Sequence, residues 1–330
     1  MQHWSIEKII LDLKYTWKIS RNATDQKTNL IVSINEGPYS AKGEAAPNIR
    51  YDETPDKLQH QFELFQKKAP ENFASADALN EFLEDLKMAN ALRFAIESAW
   101  HHLQAVKQKI SVPKQLNLPE PEWVYTAYTI PIMDPGALRA FYNDNKLDRF
   151  RYLKVKINTD EGFEVIRYLS SFSNQGILLD PNEAFIDVEA CIYFLEKIRR
   201  FNIELVEQPM PAGKDEENRY LKKYSPFSLF ADESILHEAD FTYLKTMFHG
   251  VNIKLMKAGG YLNAIHLLKQ AKDKGIKTMI GCMVETSLGI SSGIHLSSLT
   301  DYADLDSFIL VKDEPFHLIE ENNGEIRVKD

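Results

Sequence analysis

Three short apolar runs each end in a carboxylate: Gly176-Ile-Leu-Leu-Asp180, Ile203-Glu-Leu-Val-Glu207 and Phe227-Ser-Leu-Phe-Ala-Asp232. Each run has the length of one buried strand, and the acids fall 27 and 25 residues apart, the span of one strand-plus-helix unit of a parallel sheet. Successive units therefore deliver one carboxylate each to the same end of the sheet. Three such groups repel one another unless a hard cation lies between them, and Mg2+ suits an all-oxygen set. Lysines stand at the corresponding depth in two flanking units, Lys154-Val-Lys156 and Asn252-Ile-Lys254. Residues two apart on a strand point the same way, so Lys154 and Lys156 share a face; an ammonium turned toward a helix layer would lack partners, so that face is expected to look inward. Lys257 is expected beyond the strand end, as a solvated surface residue.

The elements that could position these groups form an alternating series. Strand-length runs lie at 124–131, 150–157, 176–180, 203–207, 227–232, 250–255, 277–282 and 302–306, with helical patterns between them, for example at 187–200 and at 261–273, the latter closed by Gly275. Eight strands alternating with helices predict an α/β fold, a (β/α)8 barrel, whose active site lies at the C-terminal strand ends. In a ring of eight, the strands of Lys156 and Lys254 stand opposite each other, and the three acids occupy the arc between. A substrate carboxylate on the metal would have its α-carbon between the two amines, one removing a proton and the other returning it. General-base catalysis supplies only about 10²–10⁴-fold, so a Lewis acid worth several kcal/mol is needed as well. Burial and a nearby cation are expected to lower the lysine pKa values toward neutrality.

Residues 1–122 read differently. Strands at 5–17 and 27–35 flank a polar loop at 20–26, a short strand follows at 40–44, and helical patterns lie at 54–68, 75–87 and 89–109. This portion is expected to be an α+β capping domain whose loops, around 18–26 and 47–53, cover a site made elsewhere; Arg21 is a candidate substrate contact. The barrel domain is expected over 123–310, and 311–330 as a C-terminal segment packing back toward the capping domain. A net charge of −9 without basic runs argues against nucleic acid or an anionic membrane as the main partner. Cys191 and Cys282 lie far apart without metal-ligand spacing, and neither a signal sequence nor a membrane span is evident, so a cytoplasmic protein is expected.

Residues 5–330 resemble the enolase superfamily, specifically its muconate-lactonizing subgroup. The matching stretches are Gly43-Glu-Ala-Ala-Pro47, Lys154-Val-Lys156, Asp180-Pro-Asn182, Val206-Glu-Gln-Pro209, Ala231-Asp-Glu-Ser234, Asn252-Ile-Lys254-Leu-Met-Lys257-Ala-Gly-Gly260 and Gly281-Cys-Met-Val-Glu285. Asp304-Leu-Asp306 is similar to the Asp-x-Asp signature of dipeptide epimerases, where the pair is implied to bind the substrate's α-ammonium group. The resemblance implies Mg2+ on Asp180, Glu207 and Asp232, Lys156 and Lys254 as the acid/base pair, Lys154 supporting the enolate, and Glu285 lining the substrate cavity. It implies a two-base 1,1-proton transfer at the C-terminal residue of a dipeptide, with L-Ala-D/L-Glu as a candidate substrate and a metal-stabilised enediolate between, and symmetric assemblies are common among such enzymes. An o-succinylbenzoate synthase or muconate-type cycloisomerase on the same scaffold would leave Asp304 and Asp306 idle; a non-catalytic descendant would have no need of both lysines. Pro181, where a small residue is commoner, and the C-terminal end without a Gly-rich tail depart from the family pattern.

Overall fold

The computed structural model describes residues 1–19 and 22–329. Arg21 therefore lies outside the described residues.

Strands β1 (His3–Ile19), β2 (Asn22–Glu36) and β3 (Tyr39–Ala45) form one antiparallel sheet in sequence order. The first two run longer than the apolar pattern predicts. Residues 22–26, expected in a loop, pair with β1 from Asp12 to Ile19 across a register shift between Asp12 and Trp17. All but Ala23 are polar, but the ladder is a backbone property, and exposed pairs such as Thr16–Asp25 and Gln26–Asp12 serve in place of core contacts there. Helices Pro55–Lys68, Ala76–Asp85 and Asn90–Gln108 follow. The last is buried on most of its circumference and lies so close to β3 that a Cβ on Gly43 would stand 2.1 Å from the Ala95 carbonyl oxygen. Only glycine fits there.

The run expected as the first barrel strand divides in two. Val124–Tyr125 (β4) joins a different sheet, and Ala127–Ile130 (β5) begins the barrel. Thr126 is the pivot: its N–H donates to Gly324 and its hydroxyl oxygen accepts from Leu305 N–H. Parallel strands β6 (Tyr152–Lys156), β7 (Gly176–Asp180), β8 (Ile203–Glu207), β9 (Leu229–Ala231), β10 (Gly250–Lys254), β11 (Lys277–Gly281) and β12 (Tyr302–Asp304) follow in order, and a bridge between Thr126 and Ala303 closes the ring. Ala127, Leu178, Leu205, Phe230 and Met279 cluster as an apolar core of their own inside it. The ring thus has a packed interior, and chemistry is confined to its ends.

Beyond β12, Val311 bridges to Leu13 and Lys312 N–H donates to Asp12, so residues 311 and 312 lie along β1. Strands β13 (Ile319–Asn322) and β14 (Glu325–Val328) then form a hairpin that pairs with β4. Its turn, Asn323-Gly324, has both residues at positive φ, the geometry an Asn-Gly pair favours. Among the described residues no helix is long and apolar enough to cross a membrane.

Candidate active site

The register of the ring decides which charged groups meet. Lys156 pairs with Asp180 across β6 and β7, so the last residues of those strands lie side by side, while Glu207 closes β8 and Asp232 follows β9. All are buried. Lys156 Nζ donates to Asp180 Oδ2 at 2.6 Å and to Asn182 Oδ1 at 3.0 Å. At the far end of the arc Lys254 Nζ donates to Asp232 Oδ2 at 2.8 Å. Lys154 reaches across the middle: its Nζ lies 2.8 Å from Glu207, 2.8 Å from Asp304 and 3.3 Å from Asp180. The two outer lysines thus hold opposite ends of the carboxylate arc, and the third joins the arc to the strand facing it.

Lys257 is not a surface residue. The chain leaves β10 in a single helical turn, Leu255–Ala258, closed by Gly259 at positive φ, and this turn swings Lys257 back over the ring. Its Nζ donates to Asp232 Oδ1 at 2.5 Å and to the Asp232 carbonyl at 2.6 Å. Spacing alone placed it beyond the strand; the Gly259-Gly260 pair was the available signal.

The charges follow from this packing. Burial opposes the Asp180 carboxylate, but Lys156 and Lys154 outweigh it and hold its pKa at about 2. Burial likewise opposes Asp232, and Lys254 and Lys257 hold it well below the carboxylate range. Burial pushes Glu207 up to about 7, with Asp180 and Asp232 adding to the rise. For Lys254, burial lowers the ammonium, yet Asp232 outweighs it and the pKa stands above its ordinary value. The expected drop toward neutrality is thus not present at Lys254, because a carboxylate lies 2.8 Å from its nitrogen. Lys257 does fall, burial prevailing over Asp232.

Whether this set suits a divalent cation can be tested on its oxygens. Glu207 Oε1 accepts from Asn252 Nδ2 at 2.9 Å, but buried Glu207 Oε2 accepts no hydrogen bond and has only the Lys154 charge beside it. Among the described residues no three acidic, histidine or cysteine groups already stand in ligating geometry, and lysines hold the oxygens a metal would take. The donors are hard oxygens at a buried point, one of them faced only by the Lys154 ammonium, and that chemistry fits Mg2+.

The loops that carry the acids are held by their own hydrogen bonds. Asn182 N–H donates to Asp180 Oδ1 at 2.9 Å, and Asn182 and Glu183 both adopt positive φ immediately after Pro181, a strained turn of the kind that gathers at functional sites. Pro181 thus starts a tight turn that keeps Asn182 on Lys156. Gln208 Oε1 accepts from the N–H groups of Asp232 and Ser234, which ties the end of β8 to the acid after β9.

Asp304 and Asp306 meet across the ring from Glu207. Asp304 Oδ2 is taken by Lys154, and Asp306 Oδ2 accepts Thr129 N–H at 2.5 Å. Their other oxygens, Oδ1 of each, share one hydroxyl, Thr129 Oγ1, at 3.4 and 3.3 Å. Two weakly satisfied oxygens converging on one point can receive a cation with several N–H donors. Burial, then the Asp304 charge, pushes Asp306 up to about 7. Glu285 turns toward Glu44: its Oε1 accepts Met283 N–H at 2.8 Å, its Oε2 lies 2.4 Å from where a Cβ on Gly289 would stand, and burial and Glu44 push it up to about 8. Glu44, from β3, accepts the N–H groups of Thr286 and Gly289 and so caps helix Ser287–His295 from the other sheet.

Two aromatic groups that the spacing argument missed complete the mouth. The Trp17 ring lies 6.0 Å from Lys156 Nζ, and Tyr51, on the short turn Ile49–Tyr51, lies within the fields of Asp232 and Lys254. The alternation of β1, with Leu11 and Leu13 buried on the same face, was the signal for Trp17. Arg50 beside Tyr51 bonds Glu183 at 2.8 Å, so this turn is fastened to the loop after β7.

Residues 138–330 match the family described as enolase C-terminal domain-like. Over 315 residues the chain is 30% identical to an L-Ala-D/L-amino acid epimerase of Maribacter sp., spanning 93% of this chain and 90% of that one. It is 31% identical over 296 residues to an N-acetyl-D-glutamate racemase of Pseudoalteromonas sp., spanning 87% and 89%. Among solved structures, a dipeptide epimerase from Methylococcus capsulatus complexed with Mg and the dipeptide L-Arg-D-Lys superposes with a TM-score of 0.90 at 26% identity, covering 99% of this chain and 97% of that one.

Proposed function

Because this chain belongs to the enolase superfamily and is an isomerase of its epimerase and racemase class, we propose that it is a Mg2+-dependent dipeptide epimerase acting at the α-carbon of the C-terminal residue. The observation that carries this reading is the placement of Lys156 and Lys254 at opposite ends of one carboxylate arc, with the Asp304–Asp306 pair across the ring. Asp180, Glu207 and Asp232 would hold the ion, which supplies Lewis-acid stabilisation of the substrate carboxylate as the α-proton leaves. Lys156 Nζ and Lys254 Nζ exchange that proton from the two faces, one as base and the other as acid. Each must first give up its carboxylate partner, so substrate binding and lysine activation are one event. Lys154 stays charged between Glu207 and Asp304 and opposes the negative charge that develops beside it.

Asp304 Oδ1 and Asp306 Oδ1 receive the dipeptide's ammonium, which fixes the distance from amine to reacting carbon. Residues 1–122 serve as the cap, with Trp17 beside Lys156 and Tyr51 within reach of the Lys254 charge, and Glu285 lines the substrate cavity. The side chain of the second residue, L-Ala-D/L-Glu being one candidate pairing, is set by this cap, Arg21 included. A cytoplasmic location suits an enzyme that recycles cell-wall peptides.

Incubating the protein with a dipeptide library in D2O and Mg2+, with mass spectrometry of each member, tests the reading: epimerised dipeptides gain one deuterium at the α-position. Asp304→Asn with Asp306→Asn should then raise KM by roughly 10–100-fold, the worth of one or two charge-assisted bonds. An N-acylated amino acid has no ammonium. Labelling of N-acyl amino acids with no labelled dipeptide would replace this assignment.

A further inference from the structure

Asn252 on β10 is fully buried and shares the inward face of its strand with Lys254, yet no step of the proton exchange uses it. Its Nδ2 donates to Glu207 Oε1 at 2.9 Å. Its Oδ1, equally buried, has no hydrogen-bond partner among the described residues. A buried amide oxygen left unpaired is destabilising, so packing alone gives no reason for an asparagine at this position. The hydrogen bond to Glu207 does.

Glu207 settles which way the amide turns. An ionised carboxylate only accepts, so the amide nitrogen must face it and the amide oxygen is left against the neighbouring strand. There it meets Gly281, the last residue of β11. A Cβ on Gly281 would stand 2.7 Å from Asn252 Nδ2 and closer still to Oδ1, and its three nearest atoms all belong to that amide. Gly281 is not among the glycines at positive φ, so its backbone accepts alanine without strain. What the missing Cβ provides is room for the amide to lie on Glu207. The bond to Oε1 fixes the plane of the carboxylate and so the direction of Oε2, which only the Lys154 ammonium faces. A cationic side chain in place of Asn252 would orient the carboxylate equally well but would repel a metal ion beside it; a neutral amide orients without repelling.

Resting on the reading that Glu207 holds Mg2+, we infer that Asn252 and Gly281 are positioning residues for the ion: Asn252 aims Glu207 Oε2, and Gly281 leaves the amide the space to do so. Isothermal titration calorimetry of the full chain, stripped of metal and titrated with Mg2+ alone, reads this without turnover. Asn252→Ala should raise the Mg2+ dissociation constant about tenfold or more, the usual effect of removing a hydrogen bond to a ligating group. Gly281→Ala should do nearly the same, because its methyl group pushes the amide off Glu207. Its urea unfolding midpoint without metal should stay that of the parent, since the displaced atoms are the end of a side chain. The double variant should bind as Asn252→Ala does: with the amide gone, the added methyl group has nothing to displace. A Gly281→Ala chain that binds Mg2+ as tightly as the parent, or a loss in the double variant equal to the product of the single losses, overturns the inference while leaving Mg2+ on Glu207. So does a Gly281→Ala chain whose unfolding midpoint falls along with its affinity. A parent that takes up no Mg2+ overturns the metal assignment itself, and the inference with it.

Discussion

Lowering the pH from about 7.5 to about 5 should cost the folded chain about 4 kcal/mol at two histidines, His102 half-buried on helix Asn90–Gln108 and His295 buried on helix Ser287–His295. His102 Nδ1 lies 2.8 Å from the Lys42 carbonyl, to which it donates, and its Nε2 lies 2.9 Å from the Tyr261 hydroxyl, from which it accepts. Both nitrogens are used by the neutral ring, and a proton on Nε2 would take away the acceptor of the Tyr261 hydroxyl and force that bond to reverse. The His295 ring lies 6.2 Å from that of His102 and 6.4 Å from that of Tyr261. Burial pushes His102 down to about 4, with neighbouring His101 adding to the fall, and burial pushes His295 down to about 3, with His102 adding to that one. Since both folded pKa values lie below the ordinary value of about 6.5, the unfolded chain takes up protons that the folded chain refuses. The stabilisation is complete above that ordinary value and is lost as pH falls toward the folded ones, about 2 kcal/mol per ring by about pH 5. Glu207 and Asp306, at about 7, and Glu285, at about 8, act in the opposite sense, holding protons that unfolded carboxylates release. The pair must therefore be isolated by difference. Guanidinium unfolding of the parent and of His102→Gln/His295→Gln at the two pH values should show the gap between them shrinking by about 4 kcal/mol on acidification. A gap independent of pH would refute the reasoning.

Lys156→Ala should stop deuterium entry from one epimer of the substrate and Lys254→Ala from the other, measured by mass spectrometry of each enantiomerically pure dipeptide; equal residual exchange from both would contradict the opposed geometry. Chelation should abolish exchange and added Mg2+ restore it, while the melting temperature of the chelated protein stays that of a folded chain held by its lysine–carboxylate contacts. Glu44→Ala removes the acceptor for Thr286 N–H, Gly289 N–H and Asn29 Nδ2 and should lower stability in denaturant by about 3 kcal/mol, Glu44→Gln by less. Gly43→Ala drives a methyl group to 2.1 Å from a backbone carbonyl and should lower it by about 3 kcal/mol, since neither β3 nor the helix can move alone.

Much of the site was legible because period and spacing carry it. Asp180, Glu207 and Asp232 end or follow strands within two residues of where the apolar runs end, and Lys154 and Lys156 share the inward face that alternation requires. The family match over residues 138–330 agrees with the motifs read there. Length of pairing was less legible: the strand at 22–26 has no apolar pattern, since backbone hydrogen bonds hold it. The break at Thr126 was hidden because Val124 to Ile130 is uniformly strand-forming, and only the C-terminal hairpin, some two hundred residues away, claims its first part.

Taken alone, the chain determined the alternation of strands and helices, the side of each strand on which a charge falls and the carboxylates that end neighbouring strands. These depend on periods of two and of about three and a half residues, which are local. Only the tertiary structure decided that Lys257 returns to Asp232, that Lys154 spans from Glu207 to Asp304, that Trp17 stands beside Lys156, and that Tyr51 comes within the field of Lys254. Each is a contact between segments far apart along the chain, or hangs on one left-handed residue at a strand end. Such contacts are set by how the ring closes and how the first sheet lies across it, and no local pattern encodes that.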